Sequence, residues 1–84
     1  MAYKVIYSKN AANDIKKLDK VTKRKLGQAI ERYSKNPQTY ARKMTSSKIG
    51  QYRWRAGNYR IIFDLSGKTI QILKVGHRKE IYRK

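Results

Sequence analysis

Arg53, Arg55, Arg60, Arg78 and Arg83 crowd the second half of an 84-residue chain, interleaved with Tyr52, Trp54, Tyr59, Tyr82 and the lone histidine, His77. A guanidinium fork matches two phosphate oxygens at once, and an aromatic ring stacks on an unpaired base. Together these residue types point to chemistry on nucleic acid. RNA cleavage asks least of the protein, because the ribose 2′-hydroxyl is itself the nucleophile. The protein must orient that hydroxyl, take its proton, stabilise the crowded phosphate and protonate the leaving 5′ oxygen. DNA offers no 2′-hydroxyl, so the set points to RNA.

Other chemistries find less support. Asp14, Asp19, Glu31, Asp64 and Glu80 are dispersed along the chain and His77 is alone, so no metal site is expected. There is no cysteine, hence no thiolate zinc site and no disulfide framework. No glycine-rich phosphate loop is present and no nucleophile turn accompanies His77 and Asp64. No cofactor is expected.

Lysine and arginine number 22 against 5 acidic residues, a formal net charge of +17. So lopsided a balance points to a polyanionic partner, because each neutralised phosphate releases condensed counterions. The charges do not lie on one amphipathic helix with a bulky apolar face, which disfavours a membrane surface. No segment reaches the roughly 20 apolar residues of a membrane span, and the first residues lack a signal-peptide run. A cytoplasmic location is the expectation. One domain over 1–84 is expected, its single core small.

The elements that must position these groups can be read from periodicity. "AYKVIYS" is rich in β-branched and aromatic residues and predicts a strand over about 2–7. Ser8 reads as an N-cap, and Ala11, Ile15 and Leu18 at helical spacing predict a helix over about 9–19. Thr22 reads as the cap of a second helix carrying Leu26, Ala29, Ile30 and Tyr33, ended by Asn36-Pro37. The two helices read as an antiparallel hairpin. Residues 37–48 read as a loop with at most a short helical turn.

The period then changes to two. In "GQYRWRA" Tyr52 and Trp54 face inward while Arg53 and Arg55 face out. Gly57-Asn58 and Ser66-Gly67 read as turns around "YRIIFDL", in which Arg60, Ile62 and Asp64 face out. "TIQILKV" is the last strand, broken by Gly76. The expected fold is α+β: a strand, a helical hairpin and a three-stranded meander. That gives a four-stranded antiparallel sheet with helices on one face and the other face free for function. Trp54, Tyr59, Ile61 and Phe63 are expected in the core. Ala11, Ile15, Leu18, Leu26 and Ile30 are expected in the core or against a partner. Lys16, Lys17, Lys20, Lys23 and Lys25 form a basic helical surface suited to RNA phosphates.

At "YRWRAGNYRIIF" followed by "VGHRKEIYRK" the chain resembles the RelE/ParE superfamily of toxins from toxin–antitoxin pairs. The resemblance covers nearly the whole chain, and "VGHRKEIY" is its most specific feature. It implies a RelE-like fold and, on the RelE branch, a metal-independent endoribonuclease that enters the ribosomal A site and cuts mRNA there. It also implies a cognate antitoxin, expected to be acidic, with operator DNA bound only through that antitoxin. On this resemblance Arg60 stabilises the phosphate, Arg78 contacts phosphate and assists the leaving group, and Tyr82 orients the scissile nucleotide. Arg53 and Gln51 fall where some members carry lysines; one of those lysines, at the Arg53 position, is their proposed general base, whereas an arginine is a poor base. His77 is expected to support or replace part of the acid–base function. Arg55, Lys79, Arg83 and the helical lysines would hold RNA and ribosome. Two alternatives stay open: a ParE-like inhibitor of DNA gyrase without nuclease activity, and a nonenzymatic nucleic-acid-binding module.

Overall fold

A computed structural model describes residues 3–44 and 50–81. Ser8 caps the first helix as the sequence indicates: its Oγ accepts the Ala11 N–H at 3.0 Å. The chain runs β1 (Lys4–Tyr7), α1 (Lys9–Lys16), α2 (Lys20–Tyr33), α3 (Pro37–Tyr40), β2 (Arg42–Lys43), β3 (Tyr52–Ala56), β4 (Tyr59–Ser66) and β5 (Thr69–His77). The second helix is capped by Asp19, not by Thr22. The Asp19 carboxylate accepts both the hydroxyl of Thr22 at 2.5 Å and its N–H at 3.3 Å. Thr22 therefore sits one turn inside the helix, where its hydroxyl serves the cap. Pro37 begins the short α3 rather than ending α2, since a proline at the first helical position gives up only an N–H that lacks an intrahelical partner.

The described residues form a five-stranded mixed sheet in the order β1-β5-β4-β3-β2. This corrects the four-stranded antiparallel expectation twice. β1 lies parallel to β5, Lys4 opposite Thr69 through Tyr7 opposite Ile72. The helices carry the chain from β1 to the far edge of the sheet, and the antiparallel run from β2 works back strand by strand until β5 lies beside β1 in the same direction. The second correction is β2, two residues from the stretch read as loop, which pairs Arg42 with Arg53 and Lys43 with Tyr52.

β5 outlasts β1. Beyond Ile72 its edge has no strand beside it, and α1 supplies the missing partners. The Ser8 hydroxyl donates to the Leu73 carbonyl at 3.0 Å, and an Asp14 carboxylate oxygen accepts the Val75 N–H at 3.0 Å. Backbone groups that would otherwise be orphaned under the helix are thereby satisfied. Gly76 does not break the strand, which continues to His77.

α1 and α2 cover one face. Ala11, Leu26 and Ile30 pack there on Trp54, Ile61, Phe63, Ile70, Ile72 and Val75. Trp54 and Phe63 meet with ring centroids 4.1 Å apart. The Trp54 indole donates to the Pro37 carbonyl at 3.0 Å, and the Tyr33 hydroxyl to the Arg55 carbonyl at 2.8 Å. The inner alternation of β4 holds as expected. A β-bulge sets Ile62 opposite Lys74 and Phe63 opposite Ile72, leaving Leu73 unopposed. It lets Ile72 and Val75, three residues apart, both reach the core.

The second face is less open than expected. Ile62 is fully buried there and Arg60 is only 8% exposed. Gly50 lies on Ile62 so closely that an added Cβ would stand 2.8 Å from Ile62 Cγ2 and 3.0 Å from Leu73 Cδ1. Gln51 fastens this approach: its N–H donates to Asp64 Oδ1 at 2.7 Å, and its side-chain oxygen accepts the Leu65 N–H at 3.2 Å. At the other end Ile81, 1% exposed, folds back over Gly76.

Two glycines should respond oppositely to alanine. Gly50→Ala overpacks a filled contact and should cost about 1–3 kcal/mol. Gly27, inside α2 with nothing within 4 Å of an added Cβ, should gain about 0.5–1 kcal/mol as alanine. Urea denaturation of both variants measures each difference. A pH effect follows from the α2 cap. The Thr22 hydroxyl, then its N–H, hold the Asp19 carboxyl below its ordinary value of 3.8. A depressed folded value means a stabilisation present above the unfolded value and lost as pH falls through the folded one. Wild type should therefore lose stability relative to Asp19→Asn only below about pH 4, read from denaturation midpoints across an acid series.

Candidate nucleic-acid interface

Register and pleat decide which cations meet. In β3, Arg53 and Arg55 alternate with the core residues Tyr52, Trp54 and Ala56, so both project from the face away from the helices. Arg55 stands directly opposite Arg60 on β4, and Arg60 opposite Gly76 on β5. One rung along, Arg42 of β2 stands opposite Arg53, Arg53 opposite Ile62, and Ile62 opposite Lys74. Four arginines and a lysine from four strands thus share one face in two cross-strand rows. Like charges set directly opposite one another destabilise a sheet. A polyanion laid across the face would offset that repulsion.

Arg60 is the most constrained member. Its Nη1 donates to the carbonyls of Gly57 and Tyr59, each at 3.0 Å, so the guanidinium is braced against the β3–β4 turn. That turn is tight because Gly57 adopts φ +61°, open to glycine at no cost. Burial makes a fixed charge more effective, since a dry site screens it less than water would.

Beside the rows lies a cleft of about 240 Å³ lined by Tyr40, Ala41, Arg42, Arg53 and Arg55. Tyr40 is 48% exposed at its rim, its ring packed on Tyr33 with centroids 4.8 Å apart. Tyr40 and Arg42 escaped the sequence reading. Two residues of strand carry no period, and only the pairing of β2 reveals that Arg42 belongs with Arg53.

The remaining sequence candidates separate. Lys16, Lys17, Lys20, Lys23 and Lys25 are exposed on the helices, across the sheet from the arginine rows. Arg78 and Lys79 are exposed in the turn after β5, with the Arg78 N–H donating to the Asn58 carbonyl at 2.7 Å. His77 pairs with Tyr59 and meets its ring edge-on at 5.6 Å, on the helix side of the sheet and not beside Arg60. Tyr82 and Arg83 lie outside the described residues. Among the described residues no group of three or more histidine, cysteine or acidic side chains converges on a possible metal position.

A parallel β1–β5 pair, helices on one face and cross-strand arginines on the other define a small α+β domain. The comparisons place it more narrowly. The family described as ParE toxin of type II toxin–antitoxin system, parDE, matches residues 5–82. Toxin RelE3 of Methanocaldococcus jannaschii is 32% identical over 83 residues, covering 94% of each chain. The RelBE2 toxin–antitoxin complex of Mycobacterium tuberculosis contains a chain with TM-score 0.83 and 25% identity, covering 93% of this chain and all 100% of that one. The archaeal RelE–RelB complex of Pyrococcus horikoshii gives TM-score 0.74 at 25% identity, covering 95% and 99%. The chain belongs to the ParE/RelE family of type II toxin–antitoxin toxins.

The arginine rows predict a trade between stability and binding. Arg55→Gln should raise stability by a few tenths of a kcal/mol, about the cost of a like-charged cross-strand pair. The same change should weaken RNA binding and make the dependence of log affinity on log salt shallower by about one contact, a slope change of roughly 0.7 for single strands. Denaturation and a salt series of binding titrations read the two effects separately.

Proposed function

We propose that this toxin is a metal-independent endoribonuclease that cuts mRNA in the ribosomal A site and so stops translation. The observation that carries this reading is the pair of arginine rows, which offers rigid, bidentate phosphate recognition on strands. In the proposed reaction the 2′-oxygen bonds to phosphorus and the 5′-oxygen departs. One proton leaves the 2′-hydroxyl and one is delivered to the 5′-oxygen. Arg60 and Arg78 stabilise the charge gathering on phosphorus, with Arg53 beside them, and Tyr82 orients the scissile nucleotide. Arg55, Lys79 and Arg83 hold the RNA, and the helical lysines rest on ribosomal RNA.

The proposed partner is a cognate acidic antitoxin, since the RelE chains of the M. tuberculosis and P. horikoshii structures are complexed with antitoxins. An apolar groove of about 360 Å³ between α1 and α2, lined by Tyr7, Ala12, Ile15, Lys23, Leu26, Gly27 and Ile30, suits an amphipathic segment of such a protein. Burial raises the Tyr7 hydroxyl's pKa, keeping it neutral there. No helix among the described residues is long and apolar enough to cross a membrane, and we place the pair in the cytoplasm.

A second reading has one observation in its favour: the matching family carries the ParE name, which on the resemblance above goes with inhibition of DNA gyrase. Primer extension on a reporter mRNA in a purified translation reaction separates the two. The nuclease reading expects cuts within codons that require ribosomes. It expects Arg60→Ala and Arg78→Ala, each checked for folding by circular dichroism, to cut about 10²–10³-fold more slowly. Intact mRNA together with blocked supercoiling by gyrase would overturn it.

A further inference from the structure

His77 was expected to take part in proton transfer, but its surroundings assign it other work. Its Nδ1 accepts the Lys79 backbone N–H at 3.1 Å. Its backbone carbonyl accepts the N–H groups of Glu80 at 2.8 Å and Ile81 at 2.9 Å. A side chain that takes the N–H two residues on, above a carbonyl that opens a helical turn, is the arrangement of an N-cap. Tyr59 fixes the ring from the side, edge to face at 76°. An imidazole accepts at Nδ1 only when neutral with its proton on Nε2.

The cap has a consequence on the opposite face. The capped turn reverses the chain, so that Ile81 lies against Gly76, where an added Cβ would be 3.4 Å from Ile81 Cβ. Gly76 is the cross-strand partner of Arg60. Arg78, the first residue of the turn, is tied to Asn58 one residue before Tyr59. The turn thus joins the β3–β4 corner, the floor beside Arg60, and the start of the "RKEIYRK" segment.

We infer that His77 is a positioning residue: its neutral imidazole caps the turn Arg78–Ile81 and thereby sets where Arg78 to Ile81 stand relative to Arg60. It does not exchange protons with RNA. The activity part of this inference rests on the nuclease reading; the cap itself does not. Asparagine reproduces the acceptor, because its Oδ1 is separated from the backbone by the same bonds as Nδ1. Glutamine places its oxygen where Nε2 stands and misses the Lys79 N–H.

The experiment compares wild type with His77→Asn, His77→Gln and His77→Ala. It measures the ribosome-dependent cleavage rate and the hydrogen exchange of the Lys79 amide by NMR. The Asn variant should keep Lys79 protection and cut within about threefold of wild type. The Ala and Gln variants should lose protection and cut about fivefold more slowly, the factor a typical N-cap contributes to the population of its turn. An Asn variant that protects Lys79 yet cuts as poorly as Ala would overturn the inference and make the imidazole an acid or base. Unchanged Lys79 exchange in the Ala variant would overturn the cap itself. If wild type cuts no mRNA, the nuclease reading falls, and the exchange data alone uphold or overturn the cap.

Discussion

The free edge of β5 beyond Ile72 organises the rest of the molecule. A nine-residue strand beside a four-residue one leaves backbone groups that neither water nor another strand reaches. Ser8 and Asp14 satisfy them, and in doing so fix α1 at both ends against the sheet. α1 held in this way and α2 together close over Trp54, Ile61 and Phe63. With one face sealed, the sheet can carry a row of cations on its other face. The same long strand extends past Gly76 and so puts a residue without a side chain opposite Arg60, leaving room for Ile81.

Local chemistry was legible in the sequence where a single residue enforces a conformation. Ser8 announced its helix, and Gly57 and Gly67 announced turns in which both adopt positive φ, +61° and +58°. The inner row of β4 was legible because a buried aromatic and aliphatic alternation has one reading. What stayed hidden depended on partners far along the chain. The parallel pairing of β1 leaves no local mark, and β2 is too short to have a period. Arg60 read as facing outward, and its burial stayed hidden because alternation says which face a side chain takes and not what covers that face. Gly50 and Ile81, respectively ten residues before Arg60 and well after it, supply the covering.

His77 shows how one unread feature moves a candidate site residue. Counting strictly by twos from Ile70 and Ile72 puts residue 77 on the arginine face. The bulge at Leu73 shifts the count by one, so Val75 and His77 take the helix side. The chain's lone histidine therefore meets Tyr59 and a backbone amide, and the arginine face must manage without it. Asp64, which does lie on that face, is engaged by the Gln51 N–H and helps hold Gly50 down onto Ile62. His77, the one acid–base candidate read from the sequence, thus has a structural duty at the final turn, as do three of the dispersed acids: Asp14 at the β5 edge, Asp19 at a cap, Asp64 at a clamp.

The cations of the open sheet face and those around the helices are held differently, although Lys74 stands among the first and Arg24 and Arg32 among the second. Guanidinium groups stand on β2, β3 and β4, where paired backbone holds their stems, and Arg60 is further braced by two carbonyls. A planar fork gains from such rigidity, because two phosphate oxygens must be met at once. The lysines at 16, 17, 20, 23 and 25 stand exposed on α1, α2 and the joint between them. An ammonium on a flexible stem gains little from exact placement and serves as a mobile point charge. A net charge of +17 is therefore not one undivided attraction. On the proposed reading, the first surface would hold a particular phosphate in a particular orientation, and the second would keep a large anion close. Binding nucleic acid alone asks only for the second kind of surface; guanidinium groups on paired strands are what the proposed reaction at phosphorus would add.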